Sequence, residues 1–161
     1  MEMTPPTHER RRSEVPLPTF AFFHRRTSGM RERPFTVLYA EDEEDDIIFM
    51  KKALRAVAPE VDLVAARDGQ HAVDYLSTHP PPDWVILDLK MPRRSGLEVL
   101  EWIRKESRFR DLKVTVFSSS PEQSDVERVR QLGIEEYIVK PISFAELQAV
   151  AWSMCRRWGV R

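Results

Sequence analysis

Continuous apolar runs alternate along this chain with longer segments whose apolar residues recur at helical spacing. The first run, FTVLYA at 35–40, is typical of a buried strand. In the segment after it, Ile47, Met50 and Leu54 lie on one face of a helix, and Pro59 ends that helix. The patterned part of the chain therefore begins with a strand that is followed by a helix.

The same two patterns repeat toward the carboxyl terminus. VDLVAA is followed by an RDG turn and the short helix QHAVDYLS. DWVILDL ends at Asp88 and precedes a helix lined by Leu97, Leu100 and Ile103. KVTVFSS and EYIVK are the fourth and fifth strand candidates. Strands that are apolar throughout are typical of a sheet covered on both faces.

Two serines in the last third of the chain carry helix start signals. Ser120 is followed by Pro, Glu and Gln, which predicts an N-cap, a proline in the first turn and a capping box. That helix is expected to end near Gly133. Ser143, followed by FAE, repeats the capping box before a final helix that runs to about Arg157.

Five strands and five helices alternate strictly in this interpretation. A strand that returns to the same parallel sheet through a helix makes a right-handed crossover, so helices cover both faces. We therefore predict an α/β fold with a five-stranded, doubly wound parallel sheet. In such sheets the functional crevice lies at the carboxyl ends of the strands.

Residues 1–34 differ from the rest of the chain in composition. They carry prolines among Arg, Ser and Thr and show no helical or strand periodicity, which predicts a disordered arm, with the domain at 35–161. Two alternatives concern this arm. RRR at 10–12, before VPLPTFAFF, could open a secretory or twin-arginine signal, although no small-residue cleavage site follows. Met30 could also be the true start.

Length and composition restrict the class of protein. The 161 residues, 42% apolar and 32% charged, suit one soluble domain with a tail, and no apolar run is long enough to span a membrane. Residues 1–34 hold seven Arg and four Glu, so the remainder is mildly acidic and no nucleic-acid surface is expected. The single Cys155 excludes an internal disulfide and a thiolate zinc cluster, and we expect a cytoplasmic protein.

The residues that carry chemistry stand just after the predicted strands. Glu41 and Asp42 follow the first strand, Asp88 the third, Ser118 the fourth and Lys140 the fifth. A parallel sheet would bring these distant positions to one edge. Three carboxylates in one pocket repel each other unless a cation offsets their charge, so a bound cation is expected there.

Magnesium suits this set of residues. It prefers hard oxygen ligands and keeps waters, which leaves room for a phosphoryl oxygen, and no His or Cys at these strand ends favours zinc. An aspartate beside such an ion and an ammonium group can attack phosphorus and form an aspartyl phosphate. Lys140 would then offset charge on the phosphoryl group, and the Ser118 hydroxyl would donate a hydrogen bond to it.

Four motifs in this order, YAEDEEDD, VILDLKMPRRSGLEVL, VTVFSSS and YIVKP, resemble the receiver domain of bacterial two-component response regulators from Phe35 to about Trp158. The resemblance implies a flavodoxin-like sheet of strand order 2-1-3-4-5. It implies that Asp88 accepts phosphate from a histidine kinase or phosphotransfer protein and that Asp42 and Asp88 bind Mg²⁺ directly. Glu41 would bind the ion through water and the Lys90 carbonyl would complete the site.

The resemblance further implies a signalling switch. Ser118 moves toward the phosphoryl group, Tyr137 turns inward as the switch aromatic, and the surface of the fourth helix, fifth strand and fifth helix changes. Lys140 and Pro141 match the family's Lys-Pro pair, whose peptide bond is usually cis. The chain looks like a stand-alone receiver of the chemotaxis or phytochrome-associated type that signals through an unknown downstream protein. A homodimer through the fourth and fifth helices is a family arrangement.

Other classes of function fit the sequence less well than the receiver interpretation. A haloacid-dehalogenase-like phosphohydrolase needs a second Asp two residues beyond the nucleophile, where this chain has Lys90. A phosphorylation-independent binding scaffold predicts the loss of a key residue, and none is missing. A nucleotide binder fails because the five glycines form neither G-x-G-x-x-G nor a P-loop.

Two further interpretations concern charged residues near the site. The acids at 43–46 are assigned to the first turn of a helix, where they favour the positive end of its dipole. Lys90 is hypothesised to slow the loss of phosphate by shielding the phosphoryl group from water.

Overall fold

Strands and helices alternate in the computed structural model, which describes residues 33–134 and 136–160. The elements are β1 Phe35–Ala40, α1 Glu44–Val57, β2 Val61–Ala66, α2 Gly69–Thr78, β3 Trp84–Leu87, α3 Gly96–Lys105, a 3₁₀ turn Ser107–Phe109, β4 Lys113–Ser118, α4 Gln123–Gln131, β5 Tyr137–Val139 and α5 Phe144–Trp158. All neighbouring strands pair in parallel, in the order β2-β1-β3-β4-β5. The predicted fold class and strand order are confirmed.

The strands alternate their side chains between two apolar layers. Along β1, Val37 and Tyr39 pack into the layer formed with α1 and α5, whereas Leu38 and Ala40 pack into the layer formed with α2 and α3. This two-sided burial explains why the central strand β3 is apolar at all four positions and β1 at all but Thr36, rather than at alternate ones. It also fixes which face each residue beyond a strand end will join.

The two predicted capping boxes had different outcomes. Ser143 caps α5 as predicted, with its side chain accepting from the Glu146 N–H at 3.2 Å and Glu146 accepting from the Ser143 N–H. The box predicted at Ser120 is wrong, because α4 begins only at Gln123 after the N-cap Glu122. The Ser120 hydroxyl donates instead to Asp125 Oδ2 at 2.8 Å.

Three further predictions concern the Lys140–Pro141 peptide bond, membrane-spanning helices and the arm at 1–34. The described residues contain no cis peptide bond, so the Lys140–Pro141 bond is trans, whereas the resemblance implied a cis bond. The energy difference between the two forms before proline is only about 0.5–1 kcal/mol, so local packing decides. No helix among the described residues is long and apolar enough to cross a membrane. The arm predicted at 1–34 lies outside the described residues, apart from its last two positions.

Candidate functional site

The sheet register brings the strand-end residues together. Ala40 of β1 pairs with Leu87 of β3, so the residues that follow them are neighbours, and the Asp88 N–H donates to the Ala40 carbonyl at 3.0 Å. On the other side, the Lys140 N–H donates to the Ser118 carbonyl at 2.9 Å. The parallel arrangement therefore gathers the predicted residues at one edge of the sheet.

Three carboxylates form a compact cluster at this edge. One oxygen each from Glu41, Asp42 and Asp88 lies within 4.8 Å of the others. Glu41 and Asp88 are buried, at 0% and 4% exposure, while Asp42 is half-buried. The donor atoms are all carboxylate oxygens, which are the ligands that Mg²⁺ prefers, so the cluster fits the predicted cation.

Lys140 is the cation that faces this cluster. Its Nζ donates to Glu41 Oε2 at 2.6 Å, to Asp46 Oδ2 at 2.8 Å and to Asp88 Oδ2 at 3.4 Å. Burial acts to lower the pKa of Lys140, but the hydrogen bonds and charges of these carboxylates outweigh burial and raise it. Lys140 therefore stays protonated, and the acidic cluster still carries more negative than positive charge.

Asp46 is a site residue that sequence reasoning assigned only to the first turn of a helix. It lies in that turn of α1, and its carboxylate also contacts Lys140. No signal in the sequence singled out Asp46, because α1 begins at Glu44 and its contact partner Lys140 follows β5. The dipole argument holds for the turn, and the tertiary structure adds a second contact.

The Glu41 carboxylate is held from three directions. The Tyr39 hydroxyl donates to Oε2 at 3.0 Å, Lys140 donates to the same oxygen, and the Glu43 N–H donates to Oε1 at 3.1 Å. Burial raises the pKa of Glu41, the charge of Asp88 adds to this effect, and Lys140 opposes it. Burial and the adjacent Glu41 charge raise the pKa of Tyr39, which keeps its hydroxyl a donor.

Asp88 is fixed by the backbone around it. The Leu89 and Lys90 N–H groups lie 2.7 and 3.4 Å from Oδ1, and Oδ2 faces Lys140. A Cβ at Gly96 would overlap the Asp88 carbonyl oxygen, so only glycine permits this close approach of α3. The Lys90 side chain is exposed.

Ser118 and Tyr137 meet at the loop between β4 and α4. The buried Ser118 Oγ accepts from the Ser120 N–H at 3.3 Å, and the Tyr137 hydroxyl donates to the Ser120 carbonyl at 2.6 Å. Ser120 is itself buried and binds Asp125 of α4. The two predicted switch residues are thus connected through Ser120, which sequence reasoning had treated only as a helix cap.

Similarity to known proteins points to one family. A family model described as the response regulator receiver domain matches residues 37–151. The polar-differentiation response regulator DivK of Brucella anthropi is 34% identical over 110 residues, covering 68% of this chain and 87% of its own. The probable methanogenesis regulatory protein FilR2 of Methanothrix harundinacea is 30% identical over 132 residues, covering 79% and 85%.

Solved structures give the same result for the fold. The phosphorylated cyanobacterial phytochrome response regulator RcpA superposes with a TM-score of 0.73 at 26% identity, covering 78% of this chain and 94% of its own. The Mn²⁺-bound form of response regulator Rcp1 gives a TM-score of 0.72 at 25% identity with the same coverage. One of these relatives carries a phosphoryl group and the other a divalent cation.

Proposed function

The chain belongs to the response regulator receiver domain family, and on that premise we propose that it is a phosphorylation-driven switch whose phosphoacceptor is Asp88. Receiver domains are signalling proteins rather than conventional enzymes, so the chain would catalyse only its own phosphorylation and dephosphorylation. The observation that carries the proposal is the cluster of buried Glu41 and Asp88 with half-buried Asp42, beside Lys140.

The proposed reaction is transfer of a phosphoryl group from a phosphohistidine of a histidine kinase or phosphotransfer protein. An Asp88 carboxylate oxygen forms the new O–P bond while the P–N bond of the donor breaks and its electron pair stays on the imidazole nitrogen. Oδ1 is held by backbone N–H groups, which orients the carboxylate for in-line attack. Hydrolysis of the acyl phosphate by water returns Asp88 to its starting state.

Magnesium would supply positive charge for the phosphoryl oxygens, held directly by Asp42 and Asp88, through water by Glu41, and by the Lys90 carbonyl. Lys140 would move its ammonium group from the carboxylates to a phosphoryl oxygen, which is a short displacement because Asp88 Oδ2 is only 3.4 Å away. The Ser118 hydroxyl would donate to another phosphoryl oxygen.

The proposed switch follows from the Ser120 connection. When Ser118 turns toward the phosphoryl group, its Oγ leaves the Ser120 N–H, so the loop before α4 loses one of its hydrogen bonds. Tyr137 and Asp125 both bind Ser120, so the change would reach β5 and α4 together. A downstream protein would read that surface.

An apolar surface beside the site suits the phosphodonor protein. Phe49 of α1, with Ile142 and Phe144 after β5, are exposed apolar side chains that line a cavity of about 230 Å³. Asp46 and Lys140 form its polar wall, so a protein seated there would hold its phosphohistidine next to the acidic cluster. We expect Ile142→Ser to slow transfer from the phosphodonor protein while leaving phosphorylation by acetyl phosphate unchanged.

Three further parts of the proposal concern the lifetime of the phosphoryl group, the oligomeric state of the protein and its location in the cell. Lys90, exposed two residues beyond Asp88, is proposed to shield the phosphoryl group, and unchanged decay in Lys90→Ala would refute this. Val139 of β5 and Trp152 of α5 are exposed and are proposed to form a homodimer contact, which sedimentation velocity would test. A cytoplasmic location is proposed because the only cysteine, Cys155, is a buried free thiol.

The test is intact-mass spectrometry after incubation with acetyl phosphate, with and without Mg²⁺, on the parent protein and on Asp88→Asn. A phosphoryl adduct that needs Mg²⁺ and disappears in Asp88→Asn is the expected result. An adduct that persists in Asp88→Asn would reject Asp88 as acceptor. No adduct, together with no Mg²⁺-dependent binding of beryllofluoride, would favour a phosphorylation-independent scaffold instead.

A further inference from the structure

Tyr39 is a fully buried tyrosine that the proposed phosphoryl chemistry does not use. It lies on β1 two residues before Glu41, which directly follows the strand, so the alternation of side chains places both on the same side of the sheet. Its ring packs edge-on against Phe117, with the ring centres 6.5 Å apart, and its hydroxyl donates to Glu41 Oε2 at 3.0 Å. The phenol is therefore anchored by packing and directed at the acidic cluster.

Besides the Tyr39 hydroxyl, the Glu41 carboxylate has two hydrogen-bond donors among the described residues, and only one of them binds Oε2. The Glu43 N–H binds Oε1, while Lys140, the second donor to Oε2, is shared with Asp46 and Asp88. A carboxylate offers about four acceptor positions, so three donors leave about one position free for a cation-bound water. Among the described contacts, Tyr39 is therefore the donor to Oε2 whose hydroxyl binds no other carboxylate.

The hydrogen bond between Tyr39 and Glu41 depends on the length of the side chain at position 41. Glutamate has one more methylene than aspartate, hence one more rotatable bond to hold in place. Shortening residue 41 to aspartate would withdraw its carboxylate by about 1.5 Å, which takes Oε2 out of hydrogen-bond range of an anchored phenol. Tyr39 therefore matters for a glutamate at position 41 and not for an aspartate.

We propose that Tyr39 is a positioning residue of the phosphorylation site, which holds Glu41 so that one carboxylate oxygen faces Lys140 and the remaining acceptor position faces the divalent cation. This role rests on the proposed function of the acidic cluster. It acts through Glu41 alone, so its effect should vanish when residue 41 no longer reaches the phenol.

The experiment is a double-mutant cycle on the full chain, with Mg²⁺ affinity measured by isothermal titration calorimetry. Tyr39→Phe removes only the hydroxyl oxygen, and we expect it to weaken Mg²⁺ binding about threefold, less than the roughly tenfold loss typical for a group that holds a direct ligand, because Glu41 would reach the ion through water. In the Glu41→Asp background, Tyr39→Phe should leave Mg²⁺ affinity unchanged. Tyr75→Phe on α2 is the matched control and should equal the parent.

Each result separates the possibilities. Equal Mg²⁺ affinity in Tyr39→Phe and the parent overturns the positioning role and leaves the proposed function intact. Equal weakening by Tyr39→Phe in the parent and in the Glu41→Asp background also overturns it, because the phenol would then act through general packing. A parent protein that binds no Mg²⁺ at all overturns the proposed function and this role together.

Discussion

At the carboxyl end of the sheet one ammonium group faces three carboxylates, whereas at the amino end one carboxylate is matched by its donors. There, Thr115 Oγ1 accepts from the indole N–H groups of Trp84 at 3.0 Å and Trp158 at 3.1 Å, and donates its own proton to Glu136. Arg157 Nε lies 3.3 Å from the other Glu136 oxygen.

The two ends of the sheet differ in whether their polar and charged groups are satisfied within the protein. The Thr115 hydroxyl at the amino end uses its one donor and both acceptor positions, so nothing there calls for a ligand. The carboxyl end holds Glu41, Asp46 and Asp88 around Lys140 and keeps an excess of negative charge. That excess is stable only with a cation or a proton, which is the property a phosphoryl site needs.

Removing one cation from each end should give the largest contrast. Lys140→Gln leaves the acidic cluster with no ammonium group, and we expect the free energy of unfolding in urea to fall by about 3 kcal/mol without divalent ions and to recover largely with Mg²⁺. Arg157→Gln at the amino end should cost less than about 1 kcal/mol, because its guanidinium is half exposed and Glu136 keeps other donors. Similar losses at both ends would contradict the comparison.

Replacing one glycine by alanine at each end of the sheet should show that Gly96 is closely packed and that Gly133 is not. Gly96→Ala would push a Cβ into the Asp88 carbonyl, and we expect a loss of about 2–3 kcal/mol together with weaker Mg²⁺ binding. At Gly133, near the amino end, such a Cβ would meet no atom of the described residues within 4 Å apart from its chain neighbours, but φ is +76°.

Gly133→Ala is therefore the matched control, with a cost of about 1 kcal/mol from the left-handed backbone and no change in Mg²⁺ affinity. Urea unfolding and calorimetric Mg²⁺ titration of both variants check this. An unchanged Mg²⁺ affinity in Gly96→Ala would show that the α3 contact does not support the site.

Thr115→Val should destabilise the protein without affecting the site. The valine removes the acceptor of the Trp84 indole and one donor to Glu136, and we expect a loss of about 2 kcal/mol in the free energy of unfolding. The yield of phosphoryl adduct from acetyl phosphate should match the parent at a temperature where both are folded. A reduced adduct would show that the two ends are coupled.

The smallest effect concerns the pH dependence of stability. The folded-state pKa of Glu41 lies above its ordinary value of 4.5, so its contribution to stability is present below pH 4.5 and is lost as the pH rises through the folded pKa. Relative to Glu41→Gln, the parent should therefore lose stability in that window, by at most about 1.4 kcal/mol per pH unit. Parallel stability curves for the two proteins would contradict the assignment, and Mg²⁺ should reduce the difference.

Local patterns were sufficient to predict the fold class and the edge of the sheet at which the candidate site residues meet. Continuous apolar strands alternating with helical spacing imply a doubly wound parallel sheet, and its carboxyl edge then collects Glu41, Asp88 and Lys140. The capping box at Ser143 was also predictable, because a cap uses only neighbours in sequence.

The failures share a physical cause. Ser120 has the sequence of a helix cap, but its hydroxyl, its N–H and its carbonyl bind Asp125, Ser118 and Tyr137 instead. These contacts depend on how β4, α4 and β5 meet, and a hydrogen bond goes to the partner that the folded structure offers. No local pattern records that choice.

The alternation of elements, the sheet edge at which the charges collect and the excess of acids there could all be predicted from the amino-acid sequence, because they follow from backbone periodicity and residue type. The contact of Asp46 with Lys140, beside Glu41 and Asp88, and the hydrogen bond from Tyr39 to Glu41 emerge only in the folded protein. The contact between Asp46 and Lys140 joins residues 94 positions apart, and the direction of the Tyr39 hydroxyl depends on the packing of its ring against Phe117 of β4. Both become definite only when the helices pack on the sheet.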